Sequence, residues 1–427
     1  MPNMLRFLPV ALSIIIAIKA SGQTARTPFS TIGIGQPFTL SLIHNQGAGG
    51  TGIAQPQYWF LNNQNPALLV YNYYSVFAAG LSAENITVRS DTASTTSSGG
   101  NLSYLVAAFP VEPRKWTTSV GILPFTRVNY KFLYYESLFD INDNIIDTIA
   151  VRESGLGGFN QIYWSNGIRL HDNWSVGVQA AHLFGAITSD YANTLINVNS
   201  PVPFLIAVEE QTYGKGYRFT GGLHFSKDSL GRRKDYVLSA GLTYVHQTTV
   251  KADKITRYER RNSSNDPITR DTLSFVKGDI VIPGALQVGF AVSKASKWGA
   301  ALEAGWQNWQ RFSSLNEDDE GLLTKSWHMA LGGELTPDYL SQKLLDRITY
   351  RAGFRFENSP FMVNGNQIKD FGINFGLSIP AGRSSIDLAL TAGQRGSRSK
   401  TSLDERYFRL YFGLTFNDQW FIRRKFD

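Results

Sequence analysis

Strict two-residue alternation constrains this chain more than any other feature. In YFRLYFGLTF, near the C-terminal end, Phe408, Leu410, Phe412, Leu414 and Phe416 alternate with Tyr407, Arg409, Tyr411, Gly413 and Thr415. Successive side chains of a strand point to opposite faces, so each set shares one face. DFGINFGLSI repeats the pattern, with Phe371, Ile373, Phe375, Leu377 and Ile379 set against Gly372, Asn374, Gly376 and Ser378. A bulky apolar face opposite a small or polar one fits a barrel with lipid outside and water inside. It also fits a sandwich whose polar face is the outer one, so alternation alone leaves two all-β folds open.

Strand length and loop asymmetry separate them. About fourteen segments read as strands: 73–90, 99–111, 116–135, 153–170, 174–195, 205–227, 234–257, 270–293, 298–311, 324–336, 349–359, 366–379, 384–395 and 405–417. Many reach the roughly nine to eleven residues that a tilted spanning strand needs. Sandwich strands are nearer about five or six. One set of connections is mostly short (EPRK, HDN, DSLGRR, AGR, with DYLSQKLLDR the longest). The other is longer and more polar (DTASTTSSG, SLFDINDNIIDTIAVR, ANTLINVNSPVPF and the stretch around ERRNSSNDP). Short turns on one side and long loops on the other mark an outer-membrane barrel. Trp116, Trp174 and Trp298 each open a strand after a short turn, where an interfacial aromatic girdle lies. The expectation is a transmembrane antiparallel β-barrel over residues 73–427. Its even strand count returns the basic end WFIRRKFD to the periplasm.

The N-terminal residues agree with export. Arg6 precedes an apolar run from Phe7 to Ile18, and Ala20, Ser21 and Gly22 follow, which reads as a signal peptide over 1–22 with a cut before Gln23. The formal net charge is +7, falling to +5 without Arg6 and Lys19, too small and scattered to argue for nucleic acid. There is no cysteine, hence no disulfide framework, thiolate chemistry or lipid attachment at a thiol. Aromatic residues make up 13% and charged residues only 18%, below the usual share of about a quarter. That balance suits a surface facing lipid.

Residues 23–72 break the alternation. They cluster Gly, Pro and Asn, yet Ile32, Ile34, Phe38, Leu40, Leu42, Ile43, Ile53, Trp59, Phe60 and Leu61 give them enough apolar content to pack. Asn65-Pro66-Ala67 suits a tight turn, because proline fixes its own φ and keeps the preceding residue extended. Gly47, Gly49, Gly50 and Gly52 followed by Asn65, Pro66 and Ala67, just ahead of the first strand, resemble the FadL/TodX family of outer-membrane transporters. The resemblance implies that 23–72 is a hatch folded into the lumen. It also implies passive uptake of hydrophobic compounds such as long-chain fatty acids. In that family the third strand is kinked and opens the wall sideways; here Pro124, inside SVGILPFTRVNYKF, is the matching break and the candidate lateral gate. The C-terminal end is similar to that of FadL-like barrels of Bacteroidota, some of which, the PorV-type proteins, serve protein secretion. This chain ends one residue beyond an aromatic, Phe426, and shows no counterpart of a paired basic fatty-acid site.

Other motifs carry less. Gly47-x-Gly49-x-x-Gly52 matches a dinucleotide fingerprint, but Pro56 and the absence of a helical period remove the helix that would hold a pyrophosphate. His44, His171, His182, His224, His246 and His328 have no zinc spacing and read as structural. No GxSxG is present, and neither enzyme activity nor a cofactor or metal is expected. Pro283-Gly284 marks a second break, read as a bulge. On the polar face of the late strands, Glu303, Glu334, Arg351, Arg355, Glu357, Asp387 and Arg409 point to the lumen, either pairing with one another and the hatch or simply solvated. Two functions remain open: a passive channel in contact with outer-membrane lipid, or a non-enzymatic accessory subunit of a secretion or barrel-assembly complex.

Overall fold

A computed structural model describes residues 24–142, 145–195, 205–230, 235–262, 264–294, 296–316, 319 and 321–419. The expected leader, 1–22, and the basic end, 420–427, lie outside these residues. Fourteen antiparallel strands close on themselves. They are β1 Ser75–Arg89, β2 Ser94–Glu112, β3 in two pieces (Trp116–Pro124 and Thr126–Phe139), β4 Ile145–His171, β5 Trp174–Leu195 and β6 Leu205–Leu230. Next come β7 (Tyr236–Val245 and Thr248–Arg261) and β8 (Pro267–Ile282 and Ala285–Lys294). β9 Trp298–Asn308, β10 Lys325–Leu335, β11 Thr349–Val363, β12 Asn366–Ala381, β13 Ser384–Gly396 and β14 Asp404–Asp418 complete the ring. Each strand pairs with the next, and β14 returns to β1 from Asp404–Arg89 to Asp418–Ser75.

The alternation of β14 is realised residue by residue. Phe408, Leu410 and Phe416 are exposed on the outside, whereas Tyr407, Tyr411 and Thr415 are buried inside. β12 follows suit, with Phe371, Ile373 and Phe375 out and Asn374 and Ser378 in. Trp116, Trp174 and Trp298 are exposed just past the short turns. No helix among the described residues is long and apolar enough to cross a membrane, so any crossing is made by strands.

The long polar loops differ from expectation. Most of DTASTTSSG, SLFDINDNIIDTIAVR and the stretch around ERRNSSNDP is strand, continued past the barrel rim as paired hairpins. Pairing satisfies backbone groups that a free loop would leave to water. The wall is therefore uneven: β4 has 27 residues, whereas β9 and β10 have 11 each. At about 3.3 Å per residue, the tall side carries roughly 50 Å more strand. The upper pieces of β3, β7 and β8, with β4 to β6 between them, stand as a palisade. No barrel strand continues the ladder beyond the upper pieces of β3 and β8; Gln36–Pro37 of the N-terminal segment pairs with Arg127 and Thr126 at the base of the β3 edge.

Candidate functional site

Parts of residues 24–72 pack against inward-facing residues of the wall. Helix Ile43–Gly47 touches β11 to β14, and the 3-10 helix Pro66–Tyr71 touches β3 to β6. Two short helices thus reach opposite arcs of the ring.

Small residues make this approach possible. Gly47 meets Gly376 of β12 so closely that a Cβ on Gly47 would stand 2.6 Å from the Gly376 Cα. Gly332 and Gly353 receive Ala48 in the same manner, and Gly177 and Gly222 receive Pro66. Gly49 and Gly50, with φ of 74° and 84°, turn the chain back after the helix. Asn65 is fully buried and does three things: its Oδ1 accepts from the Ala67 N–H at 3.0 Å, and its Nδ2 donates to Ile53 O at 2.8 Å and Leu223 O at 3.1 Å. It is the N-cap of a helix with Pro66 in the first position, rather than part of a tight turn. The glycine cluster and the Asn-Pro-Ala triplet come together, since Gln64 Nε2 donates to Gly50 O at 2.8 Å and Asn62 Nδ2 donates to Gly52 O.

Charged side chains of the wall hold the segment. Glu303 of β9, 2% exposed, accepts the N–H groups of both Gly52 and Ile53. Glu334 pairs with Arg351 at 3.2 Å and accepts from Gln57 Nε2 at 3.3 Å. The Arg351 guanidinium stands 5.1 Å from the centre of the Phe60 ring. His224 of β6 lies 3.2 Å from Ala54 O through Nε2 and 3.3 Å from Tyr71 Oη through Nδ1. His44 is buried and stacks on Phe60 at 4.7 Å. Burial first, and the charge of Arg351 second, hold its imidazole well below the usual range, so it is neutral. Asp387 accepts from Thr415 at 2.9 Å and from Ser378, without touching the segment through a hydrogen bond. Arg355 pairs with Glu357 at 3.0 Å.

Pro124 and Arg409 belong to a different region. β2 and β3 pair only from Glu112–Trp116 to Leu105–Ile122. Phe125 donates to Phe159 O of β4 at 2.8 Å, which by the alternation of an antiparallel ladder turns Pro124 toward β2. With no N–H to offer, Pro124 stands where that ladder ends. Above it the upper piece of β3 stays with β4, while residues 94–104 of β2 stay with β1. The wall has a breach between them. Pro283-Gly284 divides β8 at a similar break, where Gln307 Nε2 reaches Pro283 O at 2.7 Å in place of a ladder bond.

Behind the breach lies an apolar cluster: Phe29, Ile32 and Ile34 from the N-terminal segment meet Phe125, Phe159 and Leu183 from the wall, among others. Beside it runs a balanced charge network. Glu84 holds Arg127 at 2.6 Å and Arg409 at 3.2 Å; Arg395 joins Asp370 at 2.7 Å and Glu405 at 3.6 Å. A cavity of about 300 Å³ remains, lined by Gln36, Arg127, Arg218, Arg355, Asp370 and Arg409 among others. Four of the arginines lining it have acid partners. Arg218, its guanidinium 5.5 Å from the centre of the Phe125 ring, has none among the described residues.

Sequence reasoning missed Thr27, Phe29, Glu84, Arg218, Asp370, Arg395 and Glu405. Alternation could have found Glu405, which shares the inward face with Tyr407 and Arg409, and Asp370, which precedes outward Phe371. Nothing periodic marks Thr27 or Phe29.

This architecture defines a class, the FadL-like β-barrels. The chain is similar to TodX, the toluene transporter of Pseudomonas putida, at a TM-score of 0.56 and 15% identity, covering 90% of this chain and 100% of that one. It is similar to TbuX, the toluene transporter of Ralstonia pickettii (TM-score 0.54, 14% identity, 89% and 99% covered). A FadL homologue of Pseudomonas aeruginosa is similar at 0.54 and 9% identity, with 89% and 98% covered. Within that class, the BamG family model matches residues 4–427, and the chain belongs to the BamG family. No curated protein matches its sequence.

Proposed function

We propose that this protein is an outer-membrane channel of a Gram-negative cell for passive uptake of hydrophobic compounds, long-chain fatty acids among them. Residues 23–72 are its hatch, 73–427 its barrel with a periplasmic C-terminus, and Pro124 marks the lateral gate. The observation that carries this reading is the breach above Pro124 backed by an apolar cluster. A molecule that crosses the polar rim finds an apolar chamber and a sideways exit into lipid, with no covalent step. Arg218, without an acid partner, supports a carboxylate-headed compound, since a cation facing a cavity is relieved by an anion.

Accumulation of a fluorescent long-chain fatty acid by cells tests this. Deletion of the gene should lower uptake, and Arg218→Gln should lower it for the acid more than for the matching alcohol. Pro124→Ala restores one donor toward β2. A hydrogen bond is worth about 1 kcal/mol net in ordinary settings, but an unsatisfied backbone group in lipid costs several. That variant should close the wall and slow uptake at normal barrel yield. Uptake unchanged by deletion would sink the transport reading for this ligand class.

The palisade supports a second reading, an accessory subunit of a secretion or barrel-assembly complex. Leu133, Tyr135, Leu273 and Phe275 are exposed on its outermost strands, which a channel does not need. Stoichiometric partners recovered from native membranes, and lost when the hairpin around Phe139 is trimmed, would favour it. Surface labelling should reach Asn262 on intact cells and Arg114 only after the outer membrane is breached.

A further inference from the structure

The tip of the β13–β14 hairpin carries charge that passage through the lumen does not use. Its short helix Arg398–Thr401 rests against β12. Asn366 Nδ2 donates to Lys400 O at 2.9 Å, and Asn364 Nδ2 donates to Ser402 Oγ at 3.0 Å. The turn from β11 to β12 thus pins the tip, and Arg398 is presented from an anchored loop. Beside it a basin of about 530 Å³ opens on the surface, lined by Arg89, Asp91, Gln394, Arg398, Asp404 and Arg406 among others. Asp404, 1% exposed, serves two guanidiniums: Arg89 Nε donates to one of its oxygens at 3.2 Å, and Arg398 Nε stands 3.2 Å from the other. Arg406 is exposed and has no ion pair among the described residues, with Asp91 or any other acid. An anion relieves a cation left over in this way, and the planar guanidinium fork matches phosphate geometry.

The height of the basin narrows the choice of anion. Arg406 continues the outward series of β14, after Leu410 and Phe408. Ten residues separate it from Phe416, or about 33 Å of strand. With a tilt of about 35–45°, that is about 25 Å of height, the apolar band of an outer-membrane barrel. Arg406 therefore stands at the upper border of the hydrocarbon, where headgroups begin. Just beneath, the register sets Ala392 between Ile373 and Phe408, all three on the outer face. A small residue between two large ones leaves a notch for an acyl chain. The opposite rim is built otherwise. There Lys251 faces Asp279 and Lys277 faces Asp253 across the ladder of β7 and β8, so each cation meets an acid.

We propose that Arg89, Arg398 and Arg406 bind the phosphate of an acylated, phosphorylated sugar lipid of the outer leaflet, with one acyl chain in the notch at Ala392. The arginines come from β1, β14 and the hairpin tip between β13 and β14, so one phosphate spans the closing seam. The ligand is a membrane lipid held on the outside of the wall, not cargo. The inference rests on the outer-membrane placement proposed above and is independent of transport.

The test titrates the purified full-length barrel in detergent with diphosphoryl lipid A and with the same lipid stripped of its phosphates, binding being read by native mass spectrometry. The diphosphoryl form should bind about tenfold more tightly. Arg398→Gln joined to Arg406→Gln should weaken it about tenfold, and Arg406→Gln alone, which breaks no internal pair, severalfold. Lys251→Gln joined to Lys277→Gln removes the same charge from the opposite rim and should leave the affinity nearly unchanged. Equal loss in the two double variants would reduce the site to general attraction between charges and overturn the proposal. So would an affinity untouched by the arginine changes, or equal binding without phosphates. A large excess of inorganic phosphate should leave the lipid in place; displacement would show a site for free phosphate and overturn the lipid assignment. Lipid bound as expected by a protein whose deletion leaves fatty-acid uptake unchanged retains the inference and removes the channel. No preference for the phosphorylated lipid in a protein required for uptake does the reverse. Labelling of Arg114 but not Asn262 on intact cells would remove the placement and the inference with it.

Discussion

The two halves of the interior segment are held by opposite means. Residues 43–72 are fastened: glycine meets glycine at Gly47 and Gly376, a buried carboxylate grips two consecutive amides, and Asn65 ties the segment to itself and to β6. Residues 24–42 rely more on apolar packing: Phe29, Ile32 and Ile34 lie in a cluster, scattered bonds reach β1, β2 and β3, and only Gln36–Pro37 makes a short ladder, with Thr126 and Arg127 of β3. Backbone contact between small residues tolerates no sliding, because any shift brings main chain against main chain. Apolar contact without direction does, since another apolar group satisfies the same surface.

Deleting each half breaks the comparison most severely. Loss of residues 24–72 should leave a heat-modifiable barrel whose conductance in planar bilayers is severalfold larger. Loss of 24–34 alone should raise conductance less than twofold while making uptake faster. Equal conductance for the two deletions would show that the fastened half does not block the lumen.

Single side chains sharpen it. Glu303→Ala strands two buried amides, each costing about 1–3 kcal/mol. Protease should then cut between Gln55 and Asn65, a stretch resistant in the parent. Ser97→Ala, which removes the exposed bond from the Arg26 N–H, should cost under about 1 kcal/mol and leave that stretch resistant.

A graded effect is in pH. His44 is held neutral inside, whereas in an unpacked segment it titrates near about 6.5. The unpacked form therefore binds the extra proton, and packing loses stability as pH falls below that value, by at most about 1.4 kcal/mol per unit. Above it the contribution is fully present. Protease sensitivity of the 43–72 region should rise between pH 7 and 5, and His44→Phe should flatten the difference. A steeper dependence in His44→Phe than in the parent would contradict the assignment.

How much of this was legible follows from the same contrast. Strands announce themselves because one face meets apolar surroundings and the other does not, so Phe408 to Phe416 could be sided from sequence. Gly47, Gly52 and Asn65 were visible because close approach and capping restrict residue type. The palisade was hidden: polar residues in DTASTTSSG and ERRNSSNDP read as loop, since a hairpin above the rim has water on both faces and needs no alternation. The contacts of residues 24–27 with the wall were hidden for another reason. Their partners Glu84, Ser97, Asn129 and Glu405 come from four strands, β1, β2, β3 and β14, and no local pattern records who will meet whom. Arg218 stood out only when every neighbouring arginine had been matched to an acid.

The closing seam between β1 and β14 has a consequence for biogenesis. The ring cannot shut until residues 404–418 exist, by which time residues 24–72 have long been made. If residues 23–72 are a hatch, as proposed, they are most readily gathered into the circle before the final strand zips along the first, since afterwards only the mouths and a narrow breach remain. Ring closure and enclosure are thus ordered events. A chain that zips too early would leave residues 24–72 outside, so slow pairing of its two most distant strands favours the packed product.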